Sequence, residues 1–540
     1  MKTFDKIVIG SGSAGSVIAS RLSENKDSEI LLVEAGSDYP EIESMPDEIK
    51  YGYGKDPSIW ARTFGENSKF SWNYSAKATK YTQDMLVPRG RVIGGSSSVN
   101  AQIFLRGLPE DFDGWASLGN DNWDAAKTMP YFKNIENDLD FKGDFHNSEG
   151  PITVRRWQKP EWEMRQESFY KAARSMGQPH SSDANDPNST GVGPLPFNNT
   201  NDGIRWSTNF GYLSQARHRV NLSIRANCLV RRILFDGRKA IGVELESPAP
   251  KSYDDSNEQN YLARVVPEIY RIYGDEIILC AGAIGSPHIL MLSGIGPKEK
   301  LEPHNIPVIN DLPGVGENLR DHPQIQVFWK TRDELVQDRL SPRIQVGIRY
   351  TATGSDLRND MFIHPMGHTP KSGVYLDTNS ELTGFGMVAC IYLAKGSGSI
   401  GINSSNPHDQ PDLNYNFLSE EFDRIRLREA TRMCIDLGSS EFFNDVLEEV
   451  INPGVETLNN NDLLDEWLMK SARTSHHVSG TCKMGPIEDK SSVVDQEGKI
   501  HDLTNIRIAD ASIMPDCVRA NTNATAIVIG ERIADSIMQP

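Results

Sequence analysis

Near its start the chain carries a short apolar run, Asp5-Lys6-Ile7-Val8-Ile9, which predicts a buried strand. It leads directly into Gly10-Ser11-Gly12-Ser13-Ala14-Gly15 and then into Ser16 to Leu22, where Val17, Ile18 and Leu22 recur with helical spacing. A second apolar run, Ile30-Leu31-Leu32-Val33, stops at the acid Glu34. Further along, Glu276-Ile277-Ile278-Leu279-Cys280 has the near-continuous apolar character of a parallel strand covered on both faces. Residues 229–244 alternate around Asp236-Gly237, which predicts a hairpin. Gly396 to Ile402 and Pro411 to Tyr415 predict short strands. Glu420 to Leu437 predicts a helix, with Phe422, Ile425, Leu427, Ala430, Met433 and Cys434 on its apolar face. A last helix is predicted from Ala524 to Met538, with Asn523 as its cap.

The first strand, glycine-rich turn and helix form a dinucleotide-binding unit. Gly10 permits the tight turn, Gly12 lets backbone approach a pyrophosphate, and Gly15 allows close helix–strand packing. The helix N-terminus offers free N–H groups to the phosphates. The carboxylate of Glu34 can accept hydrogen bonds from ribose hydroxyls. This unit alone does not separate FAD from NAD.

Two longer segments bear on that choice. Gly90-Arg91-Val92-Ile93-Gly94-Gly95-Ser96-Ser97-Ser98-Val99-Asn100 is a second backbone-rich anion cradle with a basic residue beside it. Gly282 to Gly296 follows the apolar strand at Glu276. Together with Gly314-Val315-Gly316-Glu317-Asn318-Leu319-Arg320-Asp321-His322 and Asp510-Ala511-Ser512-Ile513-Met514-Pro515, they resemble the signature segments of the glucose–methanol–choline (GMC) oxidoreductases. The resemblance extends over nearly the whole chain. It implies an α/β FAD-binding Rossmann-like domain, discontinuous in sequence, and an α+β substrate domain built on an antiparallel sheet. The expected divisions are 1–155, 220–315 and 490–540 for FAD, and 156–219 and 316–489 for substrate.

The resemblance also implies which residues work. FAD contacts are expected from Gly10, Gly12, Ser13, Ala14, Gly15, Glu34 and Ala35, from Arg91, Gly95, Ser96 and Asn100, from Val230, and from Asp510, Ala511 and Asn523. His477, two residues before Ser479-Gly480-Thr481, matches the family's catalytic histidine, a natural base because imidazole titrates near neutrality. Asn521 falls where other members place a histidine or an asparagine, and its NH₂ can donate to an alcohol or alkoxide oxygen. His476 would project to the opposite side of an extended segment and is expected to support rather than react. The His/Asn pair is similar to that of the choline dehydrogenase and hydroxymethylfurfural oxidase branch. It implies oxidation of a primary alcohol to an aldehyde, hydride to flavin N5 and proton to His477, with O₂ or another electron acceptor as partner. A flavin-containing hydroxynitrile lyase of the same family and a non-catalytic flavin-binding protein are the alternatives. Between Gly94 and Asn100 there is no histidine, cysteine or tyrosine to tether a flavin, so FAD is expected to be non-covalent.

Composition narrows the rest. With 540 residues the chain exceeds one ordinary core, and two domains are expected. A formal charge of −18 disfavours nucleic acid and anionic membrane as partners. The six cysteines are scattered, without metal-ligand spacing, which excludes a zinc framework and predicts reduced thiols in a cytoplasmic protein. No transmembrane segment is expected, since no run approaches 18 apolar residues. Ser247 to Val266 is polar and turn-rich and is expected to be a solvated loop.

Overall fold

The computed structural model describes residues 3–52, 59–82, 84–248, 266–332, 341–372 and 380–539. Its first sheet is organised around the strand Thr3–Ile9, which pairs in parallel with Ile30–Val33 on one side and with Glu268–Leu279 on the other. Leu222–Arg225 extends the parallel sheet beyond Ile30–Val33, and Ile506–Ile508 pairs in parallel with the end of Glu268–Leu279. All four residues of Ile30–Val33 are buried, in keeping with their unbroken apolar sequence.

Glu268–Leu279 is longer than its apolar run suggests. Its polar first half, from Glu268 to Tyr273, pairs antiparallel with Lys239–Ser247, which in turn pairs with Leu229–Asp236. The predicted hairpin is present, and Gly237 occupies its turn with φ +57°. Of the polar stretch 247–266, residues 249–265 lie outside the described residues.

The second sheet is wholly antiparallel. Its order is Leu447–Asn452, Pro323–Thr331, Gly384–Ile391, Met361–Thr369, Val346–Tyr350 and Gly191–Pro194, with Arg473–Thr474 added beside Pro323–Thr331. The helices Met164–Ser175 and Glu421–Gly438 pack against it. The two short strands expected after Gly396 are Ser399–Gly401 and Asp412–Asn414, paired with each other.

The last helix covers the side of the molecule that carries the first glycine-rich turn. It spans Thr522–Met538 and packs along Ser13–Leu22, the helix of the first glycine-rich turn. It begins two residues before the predicted start, so Asn521, not Asn523, holds the cap position. Asn523 is inside the first turn, where its Oδ1 accepts from Ser13 Oγ at 2.7 Å. A cap is chosen by backbone conformation, and two asparagines spaced by one residue carry the same local signal.

Candidate active site

A cavity of about 620 Å³ runs from the ends of the parallel strands to the face of the antiparallel sheet. At the first end lie Gly10, Gly12, Ser13, Ala14, Glu34, Ala35 and Val230. Gly10 has φ +91°, and a Cβ there would stand 2.5 Å from the Cys280 carbonyl oxygen. Gly95, at φ +53°, approaches so closely that a Cβ would lie 2.6 Å from the Gly12 Cα. The two glycine-rich segments therefore meet backbone to backbone, leaving room for a phosphate-bearing group and none for side chains. Gly15, expected among the cofactor contacts, does not line the cavity. A Cβ at Gly15 would fall 1.9 Å from the Gly10 carbonyl oxygen, so this glycine serves packing between helix and turn.

Glu34 is buried, and its carboxylate accepts from Ser11 N at 3.0 Å, Ser11 Oγ at 2.8 Å and Gly36 N at 2.9 Å. Burial pushes its pKa up against those bonds. It pins the glycine-rich turn and lines the cavity. Asp510 does the same from the other side: it accepts from Gly282 N at 2.9 Å, Ser286 Oγ at 2.5 Å and Ser512 N at 2.8 Å. Arg91, Gly95, Ser96, Asn100, Ala511 and Asn523 also line the cavity. The Arg91 guanidinium stacks 4.7 Å from the centroid of Trp72, and Ser96 Oγ accepts from Gly90 N at 3.1 Å.

At the second end stand His477 and Asn521. Asn521 Nδ2 is 3.0 Å from His477 Nε2, and the Asn521 Oδ1 accepts from the Tyr392 hydroxyl at 3.4 Å. Although Asn521 holds the helix cap position, its side chain makes no capping bond. It is turned to the histidine instead.

Behind His477 lies His322, at 2.9 Å between the two Nδ1 atoms. His322 Nε2 is in turn 2.9 Å from the Val518 carbonyl oxygen. A carbonyl only accepts, so the His322 proton sits on Nε2 and its Nδ1 offers a lone pair. His477 must then donate from Nδ1, which leaves His477 Nε2 as an unprotonated base facing Asn521 and the cavity. Burial holds His322 down to about 3. Burial first, then the neighbouring His322, His476 and Arg89, hold His477 well below its ordinary range. Both rings are neutral at physiological pH.

Asp321 fixes this arrangement from beneath. Its carboxylate accepts from the backbone N of His322 at 2.6 Å and of His477 at 3.0 Å, and from the Thr474 hydroxyl. Burial raises its pKa to about 6. In the sequence His322 and Asp321 stand out only as part of a signature segment, because a sequence does not reveal that residues 155 positions apart share a proton. His476 departs from the extended geometry expected for it. Its φ is +66°, its ring stacks on Phe64 at 6.4 Å, and its carbonyl accepts from Arg89. It lines the same cavity as His477 rather than facing away.

A separate cluster joins Glu136, Asp138, Asp183 and His146. His146 Nδ1 is 2.9 Å from Glu136 and its Nε2 is 2.8 Å from Asp183. Arg156 bonds Asp138 and Asp183, and Arg106 pairs with Glu136. The two arginines and the imidazole, which the three carboxylates raise to about 10 against its burial, balance the charge of the carboxylates.

Residues 4–324 and 394–530 match the two profiles of a family described as GMC oxidoreductase. Over 99% of its length the chain is 34% identical to an oxygen-dependent choline dehydrogenase of Escherichia coli, covering 95% of that protein. Pyridoxine 4-oxidase from Mesorbium loti superposes with a TM-score of 0.86 at 27% identity, with 99% of each chain covered. A formate oxidase of Aspergillus oryzae, in a structure concerned with FAD modification, superposes at 0.85 with 23% identity, covering 99% and 98% of the two chains.

Proposed function

Because the chain belongs to the GMC oxidoreductases, an FAD-dependent enzyme family, we propose that it oxidises a primary alcohol to the aldehyde, with His477 as base and Asn521 as donor to the substrate oxygen. The observation that carries this reading is the directed tautomer chain from the Val518 carbonyl through His322 to His477. It leaves a basic lone pair at Nε2 beside an amide donor 3.0 Å away.

A substrate hydroxyl placed between the two side chains gives its proton to His477 Nε2. As negative charge develops on the oxygen, Asn521 Nδ2 donates to it, and the Tyr392 hydroxyl holds the amide in that orientation. FAD, when bound, supplies the acceptor for the hydride leaving the carbinol carbon. The residues that would hold it are the facing glycines at Gly10–Gly12 and Gly95, with Ser13, Ala14, Ala35 and Val230. Glu34 would serve the ribose, and Arg91, Ser96, Asn100, Asp510, Ala511 and Asn523 the remaining length. The close backbone approach there suits a group bearing a pyrophosphate. Non-covalent attachment is supported by Val99, buried and apolar, in a stretch without histidine, cysteine or tyrosine. O₂ or another electron acceptor completes the cycle.

The strand membership of the two sheets supports a cofactor domain of 1–155, 220–315 and 490–540 and a substrate domain of 156–219 and 316–489. All six cysteines are buried and unpaired, which supports a reducing compartment, the cytoplasm. Among the described residues no helix is long and apolar enough to cross a membrane.

The test is anaerobic bleaching of the bound flavin by a panel of primary alcohols. Bleaching by at least one alcohol, lost in His477→Ala, supports the proposal. A flavin left oxidised by every alcohol, in a protein that cleaves a hydroxynitrile, would replace it with the lyase.

A further inference from the structure

Resting on the reading of this cavity as an alcohol site, we propose that its substrate is uncharged and carries a second hydrogen-bond donor, read by His364, and is not a quaternary ammonium alcohol. The argument begins with the sheet that forms one wall. Gln324, Cys390 and Phe362 lie opposite one another on three adjacent antiparallel strands, so their side chains share one face. His364 follows Phe362 by two residues and lies on that same face, opposite Val388. Gln324, Phe362, His364 and Cys390 all line the cavity that holds His477.

His364 has a defined hydrogen-bonding character. Its Nδ1 is 3.1 Å from the Pro365 carbonyl oxygen, which can only accept, so the proton resides on Nδ1. Nε2 is left as a lone pair with no partner among the described residues. The imidazole is buried, and burial holds it neutral, down to about 4. A lone pair on a ring packed against Phe362, 5.5 Å between centroids, on a cavity wall that also carries Met366 and Ile344, gains most from an O–H or N–H on the ligand. It repels a carboxylate and gives a cation no counter-charge.

Gln324 is the other polar group on this wall, and it too is neutral. Its Oε1 accepts from Ser475 Oγ at 3.1 Å and from Cys390 Sγ at 3.5 Å, while Nε2 donates to the Thr474 carbonyl at 3.1 Å. Among the described residues, the carboxylates lining the cavity are Glu34, Asp409 and Asp510. Glu34 and Asp510 are engaged around the glycine-rich turns, and Asp409 accepts from Ser404 and Asn406 on its own loop. Of the charged groups near His476 and His477, the Arg89 guanidinium lines the cavity and donates to the His476 and Pro88 carbonyls, whereas the Asp321 carboxylate stands behind the His477 backbone and does not line it. A buried cation facing a bound ammonium, with no carboxylate between them, is unfavourable.

The experiment uses the flavin-loaded, full-length protein and two readouts. Ligand dissociation constants come from flavin difference spectra, and substrate oxidation from anaerobic bleaching. Choline is compared with 3,3-dimethyl-1-butanol, its uncharged carbon isostere. Benzyl alcohol is compared with 3-hydroxybenzyl alcohol and 3-(hydroxymethyl)benzoate. Binding is expected to be at least about tenfold tighter for the isostere than for choline, and tightest of the aromatic three for 3-hydroxybenzyl alcohol, by about five- to tenfold, the range of one neutral hydrogen bond. In His364→Ala that preference for the phenol should vanish, whereas His364→Gln, which keeps an acceptor, should retain part of it. Gln324→Glu should bring choline level with its isostere. Equal or tighter binding of choline or of the benzoate by the unaltered protein would overturn the proposal. Binding in the expected order with no bleaching would instead count against alcohol oxidation and leave the recognition result standing.

Discussion

His322 and His477 share a single hydrogen bond, Nδ1 to Nδ1 over 2.9 Å, and that bond decides which nitrogen of His477 keeps a lone pair for the cavity. Two imidazoles joined in this way carry one proton between the facing atoms. The Val518 carbonyl, by holding the His322 Nε2 proton, fixes where it lies.

Removing the proposed base is the first expectation. His477→Ala should slow flavin reduction by about 10²–10⁴-fold. Because His477 is held well below its ordinary range, the acid limb of the reduction rate should lie well below pH 6.5. Stopped-flow reduction across pH 5 to 9 checks this, and an acid limb near 6.5 would contradict the neutral, buried His477.

The second expectation concerns His322 as a positioning residue. His322→Asn offers Val518 a donor and His477 an acceptor, so it should keep more activity than His322→Leu, which strands the His477 proton. The leucine variant should also shift the pH profile of reduction. Equal rates and identical profiles in the two variants would show that His322 contributes packing alone.

Asn521→Ala should reduce the flavin about 10²–10³-fold more slowly, the range for loss of one oxyanion donor. Thermal stability should change little, because the Asn521 side chain makes no cap bond to its helix. A variant that melts early yet reduces at the normal rate would assign Asn521 to the helix instead.

Several of these residues were legible in the chain and others were not. The glycine-rich turns, the hairpin at Gly237 and the helix at Glu421–Gly438 follow local rules of backbone freedom and apolar spacing, and local rules can be read in order. His477 stood out only within its motif. The roles of His322 and Asp321 depend on contacts between residues 153 to 196 positions apart, so no window of sequence contains them. The assignment of Asn523 as cap failed because the helix starts at Thr522, where contact with the first helix overrides the local preference. His476 could not be placed because its left-handed backbone is imposed by the Thr474 hydroxyl and Arg89, both of which hold it in three dimensions.

Stability should depend on pH in both directions. His288, His322, His364 and His476 are buried neutral, held down to about 4, 3, 4 and 3. Their folded values lie below the unfolded one, so the unfolded chain takes up protons first. The stability they allow is complete above about pH 6.5 and falls as pH drops towards 3. His146 has the opposite sign. Raised to about 10, it stabilises fully below about 6.5, and that contribution is lost as pH rises through 10. His146→Gln should cost about 3 kcal/mol at pH 6, the scale for breaking a buried ion pair, and much less at pH 10.5. Melting curves of both proteins across that interval provide the check; a constant difference would exclude a protonated His146.

The flavin should be released intact on denaturation, since Val99 and its neighbours offer no tether. Acid precipitation should leave all yellow colour in the supernatant. Fluorescence migrating with the polypeptide on a denaturing gel would contradict non-covalent binding.

The bond between Ser13 Oγ and Asn523 Oδ1 spans 510 positions of sequence. It has a consequence for timing. A ribosome emits the glycine-rich turn within the first seconds of synthesis, yet the helix that completes the cavity wall emerges only after nearly all of the chain. Closure of the cavity is therefore expected late in the life of the nascent protein, and a polypeptide cut short of Asn521 would lack the helix that completes its wall.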